Sequence, residues 1–163
     1  MAVSTIQTSR LAGKAQTICF SCRNSSSSNI TGSASTMDLS VVVEADNNVS
    51  LASNEITFNA SGTGMISYTL PVNDDGTAGA SRGQLRAYLE VDTGSGYSII
   101  NTSISATYHR ESSGGSGVSA ACALTWSAGD KVRLRALCSP TPDVSQENET
   151  DKYTGLSIFG LII

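Results

Sequence analysis

Hydrophobic side chains alternate with polar ones in one segment of this chain after another. The clearest case is "KVRLRALC" (131–138), in which apolar residues and cations occupy alternate positions. Successive side chains of a β-strand point to opposite faces of its sheet, so a period of two predicts a strand with one buried face. The segments "QLRAYLEV" (84–91) and "GMISYTLPV" (64–72) repeat the pattern, and clusters of Gly, Asn, Asp and Ser separate them. No helix of useful length is indicated, so we expect an all-β, antiparallel jelly-roll sandwich of two sheets with eight to ten strands.

The chain has 163 residues, which is the usual length of one domain. Residues 1–15 carry no strong period and are interpreted as an N-terminal arm. Residues 16–163 contain the alternating segments without an internal linker or repeat, and we expect them to form a single jelly-roll domain.

Composition narrows the classes of partner. Charged residues make up 15% of the chain, against an average of about 25% for soluble domains. A net charge of −4 does not indicate a basic surface that would bind nucleic acid. No apolar run is long enough to span a bilayer. The start of the chain lacks the apolar core of a signal peptide, so we expect a protein that is made in a cytoplasm and binds neither nucleic acid nor membrane.

Four cysteines stand at positions 19, 22, 122 and 138. The pair in "CFSC" has the spacing of a metal or redox site, yet on a strand Cys19 and Cys22 point to opposite faces. Cys122 and Cys138 lie in alternating patterns as small buried hydrophobes. Four reduced, buried thiols are the expectation, with a zinc site and a disulfide as the alternatives.

The C-terminal segment "TGLSIFGLII" (154–163) has no polar face. As a strand it places Leu156, Ile158 and Ile162 on one side. The other side carries Phe159, Leu161 and Ile163. A strand of a lone antiparallel sandwich normally has one wet face, so this strand predicts a second buried surface beyond the domain's own core.

The second half of the chain resembles a known family. "GVSAACALTWSAGDKVRLRAL" (117–137) is similar to the family's hairpin of a strand, an L-x-x-G-D-x-V type turn and a strand, with Leu124, Gly129, Asp130 and Val132 as the matching residues. "YTGLSIFGLII" (153–163) resembles the family's closing strand, and "NEITFNASGTGMISYTLPV" (54–72) resembles its turn between an apolar and an aromatic strand. Together they resemble the jelly roll shared by tumour necrosis factor and the complement globular head, over roughly residues 50–163.

The resemblance implies a homotrimer in which the last strand lies in the inner sheet beside the threefold axis. On that basis the closing strand and the aromatic strand are expected to supply the trimer interface. The interface residues predicted in this way are Tyr68, Leu70, Phe159, Leu161 and Ile163.

No catalytic, cofactor or metal site emerges from the motifs. His109 is the single histidine, and no nucleophile elbow accompanies it. Paired carboxylates of a glycosidase remain open on a β scaffold, but no pair stands out. Acidic residues in two loops have no calcium-loop spacing, so they are interpreted as solvated turn charges. These are Asp74, Asp75, Asp143, Glu147, Glu149 and Asp151.

The leading functional hypothesis is a structural virion protein. A trimeric decoration (cement) protein would bind the major capsid protein on the outside of a tailed-phage head, and Arg10 and Lys14 of the arm are the predicted shell contacts. The alternative is the receptor-binding tip of a phage fibre, in which exposed loops such as residues 23–36, 111–117 and the long polar loop 139–152 recognise a host glycan or protein. A secreted signalling ligand and a carbohydrate-active enzyme are weaker candidates, because neither an export signal nor a catalytic constellation is seen.

Overall fold

The alternating segments form strands, and the strands pair into two sheets. The computed structural model describes residues 16–74, 82–110, 116–139, 144–149 and 152–163. The predicted arm, with Arg10 and Lys14, lies outside the described residues. The described part contains one short 3-10 helix, Asn101–Ser103, and no helix of it is long and apolar enough to cross a membrane.

Every strand pair in the described residues is antiparallel, and the two main sheets have seven strands each. Sheet 1 contains β1 (Thr17–Arg23), β2 (Asn29–Ile30), β4 (Val41–Glu44), β7 (Gly62–Asp74), β11 (Ser116–Trp126), β13 (Val144–Gln146) and β16 (Gly155–Ile162). Sheet 2 contains β3 (Ser35–Thr36), β5 (Val49–Ala52), β6 (Glu55–Phe58), β8 (Arg82–Asp92), β9 (Tyr97–Ile99), β10 (Ser105–Arg110) and β12 (Lys131–Ser139). A small third sheet pairs β14 (Asn148–Glu149) with β15 (Lys152–Tyr153).

The predicted two-sheet sandwich is confirmed, and side chains from both sheets share its core. Phe58 of sheet 2 stacks on Trp126 of sheet 1 with ring centroids 4.3 Å apart. The hydroxyl of Tyr68 on β7 lies 2.9 Å from the carbonyl oxygen of Ala87 on β8 and 2.8 Å from that of Ser103, to which it donates. Burial by the two sheets raises the pKa of Tyr68 to about 12.

The turn between β11 and β12 connects the two sheets, which corrects the expectation of a hairpin. β11 pairs with β7 in sheet 1, whereas β12 pairs with β8 in sheet 2. Asp130 holds the turn, since its carboxylate accepts the N–H of Ser127 at 2.9 Å, and Gly129 adopts a φ of 96° that favours glycine. The N–H of Gly129 donates to the carbonyl oxygen of Phe58 at 2.7 Å, and this bond ties the turn to β6.

Glycines let the backbones of β7 and β16 lie close beneath the indole of Trp126. Gly64 and Gly160 face each other across the two strands. A Cβ atom on Gly160 would lie 2.6 Å from the carbonyl oxygen of Thr63 and 2.8 Å from the indole. A Cβ atom on Gly64 would lie 2.4 Å from the carbonyl oxygen of Phe159. Side chains are therefore excluded from the inner face here, and the neighbouring Phe159 points outward.

The segment 139–153, expected as a long polar loop, contains β13 and the small third sheet. Buried polar residues explain the difference, because they bond to distant parts of the chain. The side-chain amide of Gln146 forms hydrogen bonds with both backbone polar groups of Asp38. It donates to the carbonyl oxygen at 2.9 Å and accepts the N–H at 3.2 Å. The Asp38 carboxylate accepts the N–H groups of Ser25 at 2.9 Å and Ser26 at 3.0 Å. The 23–36 segment, also expected as a loop, contributes β2 and β3, so the chain has more strands than the predicted eight to ten.

Candidate functional site

The face of sheet 1 that points away from the core carries a row of apolar side chains. Strand register places Cys19, Phe159, Met65 and Ala123 side by side across β1, β16, β7 and β11. Phe159 exposes 65% of its surface and Met65 exposes 47%. Large apolar side chains seldom stand together in water on a monomer, so this row is a candidate interaction surface.

A second row continues the surface toward the end of the chain. Leu161 lies between Thr17 of β1 and Thr63 of β7, and Ile163 follows just past the strand. Leu161 is 44% exposed and Ile163 is 78% exposed. We call five exposed residues of these two rows the apolar patch: Cys19, Met65, Phe159, Leu161 and Ile163.

The opposite end of the same face is small and polar. The row beyond Phe159 consists of Ser21, Ser157, Ser67 and Ala121. Its side chains are short, so they project less from the sheet than Phe159 and Met65 do. The outer face of sheet 1 is therefore divided along its strands into an apolar end and a polar end.

The structure separates the predicted interface residues into two groups. Phe159, Leu161 and Ile163 lie together in the apolar patch, where their role in a trimer stays a prediction. Tyr68 and Leu70 point into the core instead and are 2% and 0% exposed. Their assignment to the interface was wrong, because the register pairs Tyr68 with the inward-facing Leu156 and thereby fixes that side of β7 as the inner one.

Sequence reasoning missed Met65 and Cys19 as members of the patch. Met65 stands next to the buried Ile66, so the period of two placed it on the outer face. What the sequence could not supply was its position beside Phe159, since that contact depends on the pairing of β7 with β16.

The four cysteines are free in the structure, and their environments differ. Cys19 and Cys22 do point to opposite faces, as expected from their spacing. Burial raises the pKa of Cys22 to about 12, and burial likewise raises the pKa values of Cys122 and Cys138, so these thiols stay protonated and unreactive. Cys19 is exposed, which corrects the expectation of four buried thiols.

Of the residues considered for chemistry, few have described side chains. For His109 in β10, Glu149 in β14 and Asp74 in β7, only the position in the strand is described. Asp75, Asp143 and Asp151 lie outside the described residues. Glu147 is buried and its carboxylate lies 3.6 Å from the ammonium group of Lys152, so it is not a solvated turn charge. Within the described part, no three His, Cys, Asp or Glu residues are grouped to hold a metal ion.

The arrangement of the two sheets matches that of several solved structures. The chain superposes on murine APRIL at pH 8.5 with a TM-score of 0.63 at 8% identity, covering 90% of this chain and 100% of that one. The globular domain of zebrafish complement 1qA gives a TM-score of 0.59 at 15% identity, with 89% and 96% covered. The fold is the jelly roll of tumour necrosis factor and the complement globular head.

A third structure of this kind, Eiger TNF from S. frugiperda, gives a TM-score of 0.61 at 12% identity and covers 87% of this chain and 92% of that one. No protein-family model and no curated protein matches the chain by sequence. At these identities the likeness to the TNF-like structures concerns the fold, and the function is argued from the chain's own surfaces.

Proposed function

We propose that this chain is a structural virion protein. It forms a homotrimer through the outer face of sheet 1 and decorates the outside of a bacteriophage head, where it binds the major capsid protein and stabilises the shell. The apolar patch carries the proposal, because it gives a lone domain a reason to associate with copies of itself. The chain's size and its low charge support the decoration role, and no enzymatic activity is part of the proposal.

The trimer follows from the position of the patch on the sheet. Phe159, Met65 and Leu161 project from adjacent strands in the middle of a sheet, so a partner must cover them face on rather than extend the sheet at its edge. Three copies around a threefold axis cover all three patches with the same contact. The TNF-like fold, whose family is homotrimeric in the resemblance described above, supports three as the number.

The first strand begins at the apolar end of the face. Thr17 pairs with Leu161, and the carbonyl oxygen of Gln16 accepts the N–H of Ile162 at 2.8 Å. A trimer closed on the patch therefore brings three copies of Gln16 near the axis. The preceding 15 residues of each copy start from that point.

Charge indicates what these preceding residues contact. Residues 1–15 contain Arg10 and Lys14 and no acidic residue; since the whole chain carries −4 and this segment +2, the remainder carries −6. Three basic segments that start from one axis suit an acidic site at a threefold position of a shell. Three weak contacts then act as one strong contact, because the second and third form at high effective concentration.

The deciding experiment is the copy number of the polypeptide in purified particles, relative to the major shell protein. A fixed ratio to the shell protein that corresponds to one trimer, or three copies, per threefold site supports decoration. A handful of copies per particle would move the protein to a fibre tip, and none would refute the virion assignment.

Deletion of residues 1–15 tests the arm separately. The truncated chain is expected to remain trimeric by light scattering and to leave shells undecorated. Full occupancy by the truncated trimer would remove Arg10 and Lys14 from the contact.

A further inference from the structure

On the outer face of sheet 2, three cations with described side chains form ion pairs with two carboxylates. Arg133 lies 2.8 Å from Glu90 and 3.7 Å from Glu55. Lys131 lies 3.9 Å from Glu55, and Arg135 lies 3.7 Å from Glu90. These ion pairs join β6, β8 and β12, and they account for the charges at one end of the sheet.

Arg86 is the exception. It stands on β8 in the same outward-facing set as Glu90, but no carboxylate among the described residues forms an ion pair with it. Its guanidinium lies 5.7 Å from the ring centroid of Tyr88. Its Nε atom is buried and has no hydrogen-bond partner in the described part of the chain. A half-buried guanidinium with an unsatisfied donor and no anion beside it is costly, so this position calls for an explanation.

The surroundings of Arg86 have the composition of a binding surface. Strand register places Ala106 of β10 and Leu137 of β12 on either side of Arg86. Tyr108, in the next outward position of β10, exposes 56% of its surface. Tyrosine and arginine beside small apolar neighbours are the residues that dominate binding energy in protein interfaces.

We propose that this surface, defined by Arg86, Ala106, Tyr108 and Leu137, with the buried Tyr88 next to Arg86, binds a carboxylate-bearing segment of another protein. The carboxylate supplies the missing anion of Arg86, and an apolar or aromatic neighbour in the segment packs against Tyr108. A peptide rather than a sugar is favoured because the residues lie on the open face of three strands, and small-molecule sites are normally concave.

This surface is independent of the proposed trimer. It lies on sheet 2, and the core separates it from the apolar patch on sheet 1. A trimer closed on the patch leaves three such surfaces facing outward, so one assembly can hold three acidic segments.

The test uses the full chain and an immobilised random copolymer of glutamate and tyrosine as the acidic polypeptide. Arg86→Gln is expected to weaken binding by about tenfold or more. Lys131→Gln is the matched control, because it removes the same charge from the same face and should weaken binding less than about twofold. Tyr108→Ala, at an exposed position, is expected to weaken binding severalfold and does not depend on how Arg86→Gln folds. Thermal unfolding of each variant verifies the fold.

Three results would overturn the proposal. One is an unaltered chain that does not bind the copolymer. The second is an equal loss for Arg86→Gln and Lys131→Gln, which would indicate unspecific attraction. The third is binding to polygalacturonate that is as tight and as dependent on Arg86, which would make the surface an acidic-glycan site. Light scattering on the same samples reports the trimer separately, so failure of one proposal is distinguishable from failure of the other.

Discussion

Replacing Phe159 with threonine tests the trimer most directly. Threonine is β-branched and suits a strand, as the aromatic phenylalanine does. The side chain of residue 159 points outward, so its replacement does not alter the core. With 65% of Phe159 exposed and roughly 200 Å² for a whole phenylalanine side chain, about 130 Å² is available to a second copy. The substitution removes most of this contact.

The expected effect is large because each trimer loses the contact three times. A loss of about 100 Å² per copy corresponds to about 2.5 kcal/mol at about 25 cal/mol per Å². Three copies lose about 7 kcal/mol, which lowers the association constant by about five orders of magnitude. The midpoint concentration of assembly varies with the square root of that constant, so it should rise about 300-fold.

Sedimentation equilibrium across a wide dilution series measures this midpoint. Ile99→Thr is the matched control, since it removes exposed apolar surface from sheet 2 and should leave the midpoint unchanged. Reaction of the exposed Cys19 with a thiol reagent gives a second readout, because closing the patch should protect it. A wild-type chain that is monomeric at every concentration, or a midpoint that Phe159→Thr and Ile99→Thr shift equally, would refute the reasoning.

Three further predictions concern stability, each measured by urea unfolding. Gly160→Ala should cost about 1–3 kcal/mol or more through the backbone and indole clashes described above, whereas Gly155→Ala in the same strand meets only ordinary contacts and should be nearly neutral. Tyr68→Phe should cost about 1–3 kcal/mol, because it leaves buried carbonyl oxygens without their donor. Desolvation raises the pKa of Asp38. Hydrogen bonds from neighbouring N–H and hydroxyl groups together lower it by more, so the pKa lies below its usual value. Its stabilisation is therefore present above the unfolded pKa of about 4 and lost as the pH falls through the folded pKa. Asp38→Asn should flatten the acid limb of stability; an acid limb as steep as that of the wild type would contradict this.

The outcome for individual residues shows what could be predicted from the sequence and what could not. Alternation correctly placed Val132 and Leu134 inside and put Phe159 on the face opposite Leu156 and Ile158, because the side-chain period of a strand is a local property. The family resemblance, not alternation, assigned Tyr68 and Leu70 to the interface, and that assignment was wrong because the pairing of β7 with β16 turns their face toward the core. Sequence reasoning also missed the buried polar bonds of Gln146 and Asp38, which join residues far apart in the chain.

The sequence by itself determined the strands, their turns and the existence of two apolar faces on the closing strand, since these depend on the order of neighbouring residues. Tertiary structure alone decided that Cys19, Met65 and Phe159 share one patch. It also decided that no carboxylate among the described residues pairs with Arg86, whereas Glu55 and Glu90 pair with its neighbours on sheet 2. Both depend on sheet register, which brings together side chains from strands far apart in the chain. Those contacts are fixed by packing against the common core rather than by local propensity.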